Sequence, residues 1–400
     1  MLCLAAIESW AAYTKKRYLT SLKWVLLDIK PPPDVQKSPK IAENIFSGLH
    51  SAYVGATTWR KRFFAGELQP WFSFEIVGNG GDIHFYVRVP EGLRKLVESL
   101  VFSQYPDAEI TPVEDYIDLV PRHLPNDDYS MFGTELVFTK EDAYPIKTYP
   151  FFEEEKGKDE FVRTDPLSPL AEALSSLQPG EHIWLQLLIR ATGGDWVKEG
   201  QKVIDKIIGK EPKVEKDAVV KSLDFIDSLI SGVPAAEEKK KEDFSSMKLT
   251  PGQRFVLEQV ENKLSKLGFK SGYRFLYIGR KEAFNLARIS DVIGTFKQLY
   301  SNNLNSFRPN KETFTFAKGW FSWLFPSEKG FFYKQEELKK KWHIYRDYRS
   351  RAFVKQPIIL NTEELATLFH LPSIGVRAPA VPRVEAKKGQ PPTNLPGLIR

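Results

Sequence analysis

The sequence predicts an α+β fold made of two ferredoxin-like modules, each a βαββαβ unit built on an antiparallel sheet. Between Lys23 and Asp115 the spacing of apolar residues switches between two and three to four in that order. A similar order begins again at Glu135, and a stretch rich in Lys, Glu, Asp and Ala interrupts it at about residues 209–247. We therefore expect the second module to carry a long insertion, partly helical and partly disordered.

In the first module, strands are recognised by alternating apolar residues and helices by apolar residues three and four positions apart. The turn Gly78-Asn-Gly-Gly81 tolerates positive φ and joins two of the strands as a hairpin. This order closes as a four-stranded sheet with both helices on one face. The predicted elements are strand 24–30, helix 41–53, strands 71–77 and 82–89, helix 93–101 and strand 108–113.

The hairpin strands divide into an apolar face and a mixed face. The residues expected to pack against the helices are Phe72, Phe74, Ile76, Ile83, Phe85, Val87 and Val89. The opposite face carries aromatic and polar residues, namely Trp71, Ser73, Glu75, His84, Tyr86 and Arg88. This face has more aromatic side chains than an ordinary exposed surface carries. It is therefore the candidate contact surface of the first module.

The second module is predicted from similar signals. Asp165-Pro166 is predicted to open a helix with an aspartate cap and proline at the first helical position. Thr250 to Gln253 forms a capping box at the start of another helix. In the strand at residues 181–192, Trp184 and Arg190 lie on the face opposite the apolar residues. The predicted elements are strand 135–139, a helix from 165, strand 181–192, helices 196–208 and 250–267, strand 273–279 and helix 289–300.

After residue 303 the pattern becomes irregular. An aromatic-rich loop is followed by a basic amphipathic helix at 334–353, and Thr362 is expected to cap a short helix that Pro372 ends. The last 25 residues contain five prolines and are predicted to be an extended connector. The predicted regions are an N-terminal helix or membrane-proximal stub at 1–22, the first module at 23–130, the second at 131–303, the loop and helices at 304–375 and the connector at 376–400.

Composition and motifs limit the functions that this chain can have. A net charge of +6 over 400 residues permits contact with nucleic acid or anionic lipid but does not require it. The single cysteine, Cys3, fits a reducing compartment and points to the cytoplasm. The stretch nearest to a phosphate-binding loop, Gly194 to Lys202, has the wrong spacing, and none of the six histidines has a partner at metal-ligand spacing on one helix. No catalytic, cofactor-binding or metal-binding residue is predicted, and we expect a protein without enzymatic activity or cofactor.

Six stretches together resemble the amino-terminal region of large membrane-linked ATPases of the conjugation and type IV secretion kind, which belong to the HerA/FtsK superfamily and are found in uncultured bacteria. In such proteins a proline-rich segment like Pro391-Pro-Thr-Asn-Leu-Pro396 leads into the nucleotide-binding motor, and a membrane segment usually lies upstream. No residue of the motor has a matching position in this sequence, so the resemblance implies a region that lacks the motor domain. The stretches are residues 24–32, 55–64, 69–76, 144–149, 296–305 and 361–370.

The resemblance implies a noncatalytic assembly or positioning module of a DNA- or protein-translocating ATPase at the cytoplasmic face of the cell membrane. Its expected partners are the motor domain, in the same or a neighbouring polypeptide, and further copies of the chain, with DNA and the inner-membrane surface as additional ones. The alternative is single-stranded DNA binding by the open sheet faces and the basic helix 334–353. A third arrangement, in which the two mixed faces pack on each other and bury both tryptophans, is also open. The candidate contact residues are Trp71, His84, Tyr86, Arg88, Trp184, Arg190, Lys340, Arg346 and Arg349.

Overall fold

The structure, a computed structural model, describes residues 2–32, 38–53, 58–156, 160–163, 165–209, 249–315 and 330–372. It is a mixed α+β fold around one nine-stranded sheet in which all paired strands are antiparallel. Most of the predicted insertion, from residue 210, and the proline-rich connector lie outside the described residues. Among the helices of the described ranges, none combines the length and apolar character needed to cross a membrane.

The first half of the chain follows the predicted order of elements. After the N-terminal helix α1 its strands lie in the sheet order β2-β3-β1-β4, with α2 and α3 on one face. Gly80 and Gly81 adopt φ values of +58° and +104° in the β2–β3 turn, as the turn signal predicts. The elements are α1 (Leu2–Ser21), β1 (Trp24–Lys30), α2 (Lys40–Leu49), β2 (Phe72–Asn79), β3 (Asp82–Pro90), α3 (Arg94–Gln104) and β4 (Glu109–Pro112).

The second half forms the rest of the sheet, in the order β10-β5-β9-β8, and a separate two-stranded hairpin from β6 and β7. The strand β11 adds to β9 antiparallel, at the end of β9 where β5 no longer pairs with it. The elements are β5 (Tyr129–Phe138), β6 (Glu153–Lys156), β7 (Glu160–Arg163), α4 (Ser168–Ser175), β8 (Glu181–Ala191), α5 (Asp195–Ile208), α6 (Pro251–Leu264), β9 (Gly268–Arg280), α7 (Ala287–Lys297), β10 (Phe307–Pro309), α8 (Gly330–Arg349), β11 (Ile358–Asn361) and α9 (Thr362–Leu368).

The two halves join edge to edge. Strand β2 pairs with β8 over its whole length, from Phe72 opposite Ile189 to Asn79 opposite His182. The arrangement in which two mixed faces pack on each other is therefore wrong, because both faces lie on the same side of one continuous sheet. One apolar core on the other side draws residues from Leu27 to Leu371.

Helix α8 covers the mixed side of the sheet. Ile344, Tyr345 and Tyr348 of this helix pack in one buried cluster with Trp184 and Tyr86 of the sheet. The expectation of open sheet faces is wrong for the part of the face beneath α8. The expectation failed because the helix that covers the aromatic face, α8, is distant from β2 and β3 in sequence. Local spacing of residues does not reveal such a contact.

Several local predictions need correction. Strand β5 starts at Tyr129, six residues before the predicted start, and β10 was not predicted within the aromatic loop. Helix α4 begins at Ser168, because Asp165 accepts a hydrogen bond from Leu167 N in the preceding turn rather than capping the helix. Asn361, not Thr362, caps α9, and its side chain forms a capping box with Glu364.

The segment after α8 is part of the core rather than an appendage. Residues 358–372 are almost entirely buried, and Phe369 packs edge-on against Phe74 with the ring centroids 4.9 Å apart. This segment fills the space between α2 and the sheet of the first half. The region predicted at 304–375 thus contributes to the same core as the modules at 23–130 and 131–303.

Candidate functional site

Three of the candidate contact residues are buried aromatic side chains. Trp71 and Trp184 are 4% and 0% exposed, and Tyr86 is also buried. The Trp71 indole donates to the carbonyl of Arg351 (2.9 Å), and the Trp184 indole donates to Asn79 Oδ1 (2.9 Å). Because both indole faces and both N–H groups are used inside the protein, these rings cannot stack on bases in this conformation.

Three further candidates lie at the margins of the covered face. His84 stacks on Tyr86 and places Nδ1 3.3 Å from Asp28 Oδ2. The guanidinium of Arg88 lies over the Trp24 ring (4.5 Å), and that of Arg190 lies over Phe353 (4.4 Å). Burial, followed by the charge of Arg351, lowers the pKa of Arg88 to about 10. These cations stabilise aromatic packing inside the protein.

The three candidates on α8 also have partners within the chain. Lys340 donates to the carbonyl of Lys311 (3.2 Å), and Arg346 contacts Asp347 (2.9 Å). Arg349 donates to Asp118 Oδ1 (2.6 Å). The structure thus places Tyr86 and Trp184 against α8, and Trp71 and Arg190 against the segment that follows it. Lys340 and Arg349 join α8 to neighbouring loops. The contacts of His84 and Arg88 lie within the sheet, and that of Arg346 lies within α8.

Beneath α8, polar residues form a continuous row across the sheet, which we call the seam row. Each member lies directly opposite the next on the adjacent strand, and the row crosses the β2–β8 junction between Glu75 and Gln186. Glu75 and Gln186 are fully buried, and Gln186 Nε2 donates to Glu75 Oε1 (3.2 Å). The row consists of Asp28, Tyr86, Glu75, Gln186, Arg274 and Glu135.

Arg351, in the turn after α8, is the main partner of the seam row. Its Nε and Nη2 donate to the two carboxylate oxygens of Glu75, at 3.0 Å each, and Nη2 also donates to Asp115 Oδ1 (2.8 Å). Arg351 adopts φ +50°, a region that non-glycine residues rarely occupy, so the turn is strained in order to aim this side chain at the sheet. A bidentate arginine–carboxylate pair fixes both distance and orientation.

Burial would raise the pKa of Glu75, but the charge and hydrogen bonds of Arg351, with bonds from Ser73 and Tyr116, leave it below its ordinary value. Tyr116 donates to Glu75 Oε2 (2.7 Å), and its hydroxyl lies 2.8 Å from that of Tyr348 on α8. Glu75 is therefore a charged carboxylate that accepts hydrogen bonds from Arg351, Tyr116, Ser73 and Gln186. Such a group is stable in the interior only while its partners remain in place.

Arg274 joins the end of α8 to the second half of the sheet, as Arg351 joins it to the first. Its Nη1 donates to the carbonyls of Ala352 (2.6 Å) and Asp347 (3.3 Å), which lie at the C-terminal end of α8, and to Gln186 Oε1 (3.1 Å). Its Nε donates to Glu135 Oε1 (3.0 Å). A cation at a helix C-terminus satisfies free carbonyl groups and is favoured by the helix dipole. Arg351 and Arg274 thus hold the end of α8 to both halves of the sheet.

A second charged cluster holds the C-terminal segment on the other side of the sheet. Lys263 on α6 and Glu364 on α9 form a fully buried ion pair (3.0 Å). Burial raises the pKa of Glu364, while the charge of Lys263 acts in the opposite direction. Lys266 bridges Glu43 (2.7 Å) and Glu363, so α2, α6 and α9 meet at one set of charges.

Sequence reasoning missed Arg351, Arg274, Asp115 and Tyr116 as members of this site. The signal for part of it was visible, because Glu75, Gln186 and Arg274 are polar residues in the middle of three mainly apolar strands. Within the described residues, no group of three His, Cys, Asp or Glu side chains is arranged to hold a metal ion. The arrangement joins elements through charge pairs and hydrogen bonds.

Comparison with known protein families gives one match. A family model described as a domain of unknown function, DUF8128, matches residues 14–383. The chain belongs to the DUF8128 family. A search of curated proteins found no significant match.

The matched range places the features above within one family domain. It contains the entire nine-stranded sheet, α8 and α9 of the DUF8128 domain, and therefore the complete seam row with Arg351 and Arg274. The first twelve of the 20 residues of α1 precede the match, which begins at Thr14. Both halves of the sheet lie within this range, and each buries its seam edge against the other through the pairing of β2 with β8.

Proposed function

We propose that this protein is a noncatalytic assembly module that positions a DNA- or protein-translocating ATPase motor of the conjugation type. The six stretches that resemble the amino-terminal region of such ATPases support the choice of partner. In the proposal, the two halves are ferredoxin-like modules. The first half has the chain order βαββαβ, and the second half follows this order with the β6–β7 hairpin and the helices α5 and α6 inserted. With the hairpin left out, the second strand of each half pairs with the third, the third with the first and the first with the fourth. The modules are fused through their second strands, β2 and β8.

One observation carries the proposal: the charged side chains of the interior join elements across the β2–β8 seam. Glu75 and Arg274 belong to different halves, yet both bind the same end of α8, through Arg351 and through backbone carbonyls respectively. A sheet held in this way keeps its two halves in fixed relative positions. A module that orients a motor needs this rigidity. The expected partners are the motor domain and further copies of this chain.

Light scattering coupled to size-exclusion chromatography tests the proposal. The chain is measured alone at several concentrations and then mixed with the motor domain encoded by the same or a neighbouring gene. We expect self-association that rises with concentration and co-elution with the motor. A chain that stays monomeric and does not bind the motor contradicts the proposal.

The alternative, single-stranded DNA binding, has less support from the geometry because α8 covers the aromatic rings that would stack on bases. DNA would have to use the outer side of α8, where Trp342 is exposed beside Lys339 and Arg346. A fluorescence anisotropy titration at several salt concentrations distinguishes the two functions, since phosphate contacts weaken as salt rises. Tight, salt-dependent binding that is lost in the Lys339→Gln/Arg346→Gln variant would favour the alternative.

A further inference from the structure

Large aromatic and aliphatic side chains are exposed on two segments in contact with each other, α1 and residues 58–65. We call this surface the N-terminal patch. Its five large apolar side chains are between 45% and 67% exposed, which is far more than a side chain retains in a packed core. These side chains are Ile7, Trp10, Tyr13, Trp59 and Phe64.

The two segments of the patch form one unit. The Trp10 indole donates to the carbonyl of Phe63 (3.2 Å), and the Thr14 hydroxyl lies 3.5 Å from the same oxygen. Gly66, at φ +66°, approaches so closely that a Cβ there would lie 2.2 Å from the carbonyl oxygen of Thr14. Close backbone contact of this kind requires glycine, so the segment is shaped to lie against α1.

The charges beside the patch are mainly positive. Residues 2–23 and 58–67 together contain seven Lys and Arg but two Glu, an excess of five positive charges. Lys15, Lys16 and Arg17 follow the apolar part of α1 and are exposed. Arg17 lies seven residues after Trp10, which is two helical turns, and therefore on the same face of α1. Arg17 thus shares the face of α1 that carries the exposed aromatic residues, and Lys15 and Lys16 lie about 140° and about 120° around the helix from Trp10, on either side of it.

We propose that the N-terminal patch docks this protein on an anionic lipid bilayer. Aromatic rings prefer the boundary between headgroups and acyl chains, and basic residues within reach of that boundary are attracted to acidic headgroups. The patch combines both groups, with the aromatic side chains of α1 and residues 59–64 entering the headgroup region and Lys15 to Arg17 contacting acidic lipid. This docking is independent of motor binding.

Flotation with lipid vesicles tests the docking. The full chain is mixed with vesicles of phosphatidylcholine alone or of phosphatidylcholine with phosphatidylglycerol, and the bound fraction is measured over a range of lipid concentrations. We expect binding to the anionic vesicles that weakens with salt. The Trp59→Ser/Phe64→Ser variant should bind about tenfold more weakly or worse. The triple variant Lys15→Gln/Lys16→Gln/Arg17→Gln should lose about fivefold per charge at low salt.

Matched control variants separate docking from general changes in surface character. Trp342→Ser/Leu338→Ser removes two side chains of α8 that are 44% and 42% exposed. Lys311→Gln/Lys339→Gln/Lys355→Gln removes three exposed charges elsewhere on the chain. Both controls should float with the anionic vesicles as the unmodified chain does. Thermal melts by circular dichroism check that each variant is folded.

Two outcomes would overturn the proposal. One is equal flotation of the patch variants and their controls. The other is a lack of vesicle binding together with self-association that Trp59→Ser/Phe64→Ser abolishes, since the patch would then contact a second copy of the chain. Motor binding measured by light scattering is a separate readout, so a failure of docking and a failure of the proposed function are distinguishable.

Discussion

Arg351 and Glu75 lie 276 positions apart in sequence, yet they form a buried pair with two parallel hydrogen bonds of 3.0 Å. Their side chains are 1% and 0% exposed, and the pair joins the turn after α8 to the middle of the sheet. A contact between residues this far apart cannot be predicted from any local stretch of sequence. It sets the position of α8 relative to both halves, because Gln186 and Tyr116 donate to the same carboxylate.

We expect Glu75→Gln to destabilise the protein by about 3–5 kcal/mol, because it leaves the charge of Arg351 buried with Asp115 as its remaining carboxylate. Urea denaturation followed by circular dichroism measures the loss. Glu258→Gln, an exposed glutamate on α6, is the matched control and should change stability by less than about 0.5 kcal/mol. The double variant Glu75→Gln/Arg351→Met should be more stable than the sum of the two single losses predicts. Additive losses would contradict a direct pair.

His182 gives the protein a second testable property, a pH dependence of stability. Burial, followed by the charge of Arg280, lowers the pKa of His182 from 6.5 to about 4. The unfolded chain therefore takes up a proton at a higher pH than the folded chain does, and stability falls as the pH drops from 6.5 toward 4. The loss from this residue is at most about 3 kcal/mol.

His182→Asn removes the titrating ring and keeps a donor for Asn79, which lies 2.8 Å from Nδ1 of His182. We expect the variant to lose less stability than the unmodified protein between pH 6.5 and 4, as measured by urea denaturation at each pH. If the two stability curves stay parallel over this interval, the histidine is not held neutral by its surroundings.

Local features of the fold were predictable where short-range physics decides them. Strand β1 has the predicted bounds, the capping box at Thr250 and Gln253 is present, and Gly80 and Gly81 form the predicted turn. The apolar faces of β2 and β3 also point to the core as predicted. In each case the determinant is the side-chain period or a turn conformation, both of which lie within a few residues.

The site was less predictable because its determinants are distant in sequence. The aromatic and charged residues of the mixed face suggested contact with nucleic acid, whereas Tyr345, Tyr348 and Arg351 of the same chain occupy that face. The basic residues of this region predicted an amphipathic helix at 334–353 but not its partner. The edge pairing of β2 with β8 was equally hidden, since either strand could have paired elsewhere or stayed at an edge.

Phe369 tests whether the C-terminal segment is part of the core. It is 6% exposed and packs against Phe74 and Phe85, so Phe369→Ala should destabilise the protein by about 3–5 kcal/mol. Phe102→Ala on α3 is the control, because that side chain is 41% exposed and should cost much less. Both losses are measured by urea denaturation. Equal losses would show that Phe369 does not fill the core of the first half.

The β2–β8 seam predicts that the two halves unfold together. Leu185 on β8 is 1% exposed in the shared core, and Leu185→Ala should lower stability by about 2–5 kcal/mol. Hydrogen exchange can measure this loss separately at Val87 on β3 and at Phe275 on β9, which lie on opposite sides of the seam. The free energy of exchange should fall by the same amount at both amides, and Leu286→Ala, an exposed control, should change neither. A loss confined to Phe275 would mean that the second half opens alone, and that the seam row and Arg351 do not couple the halves.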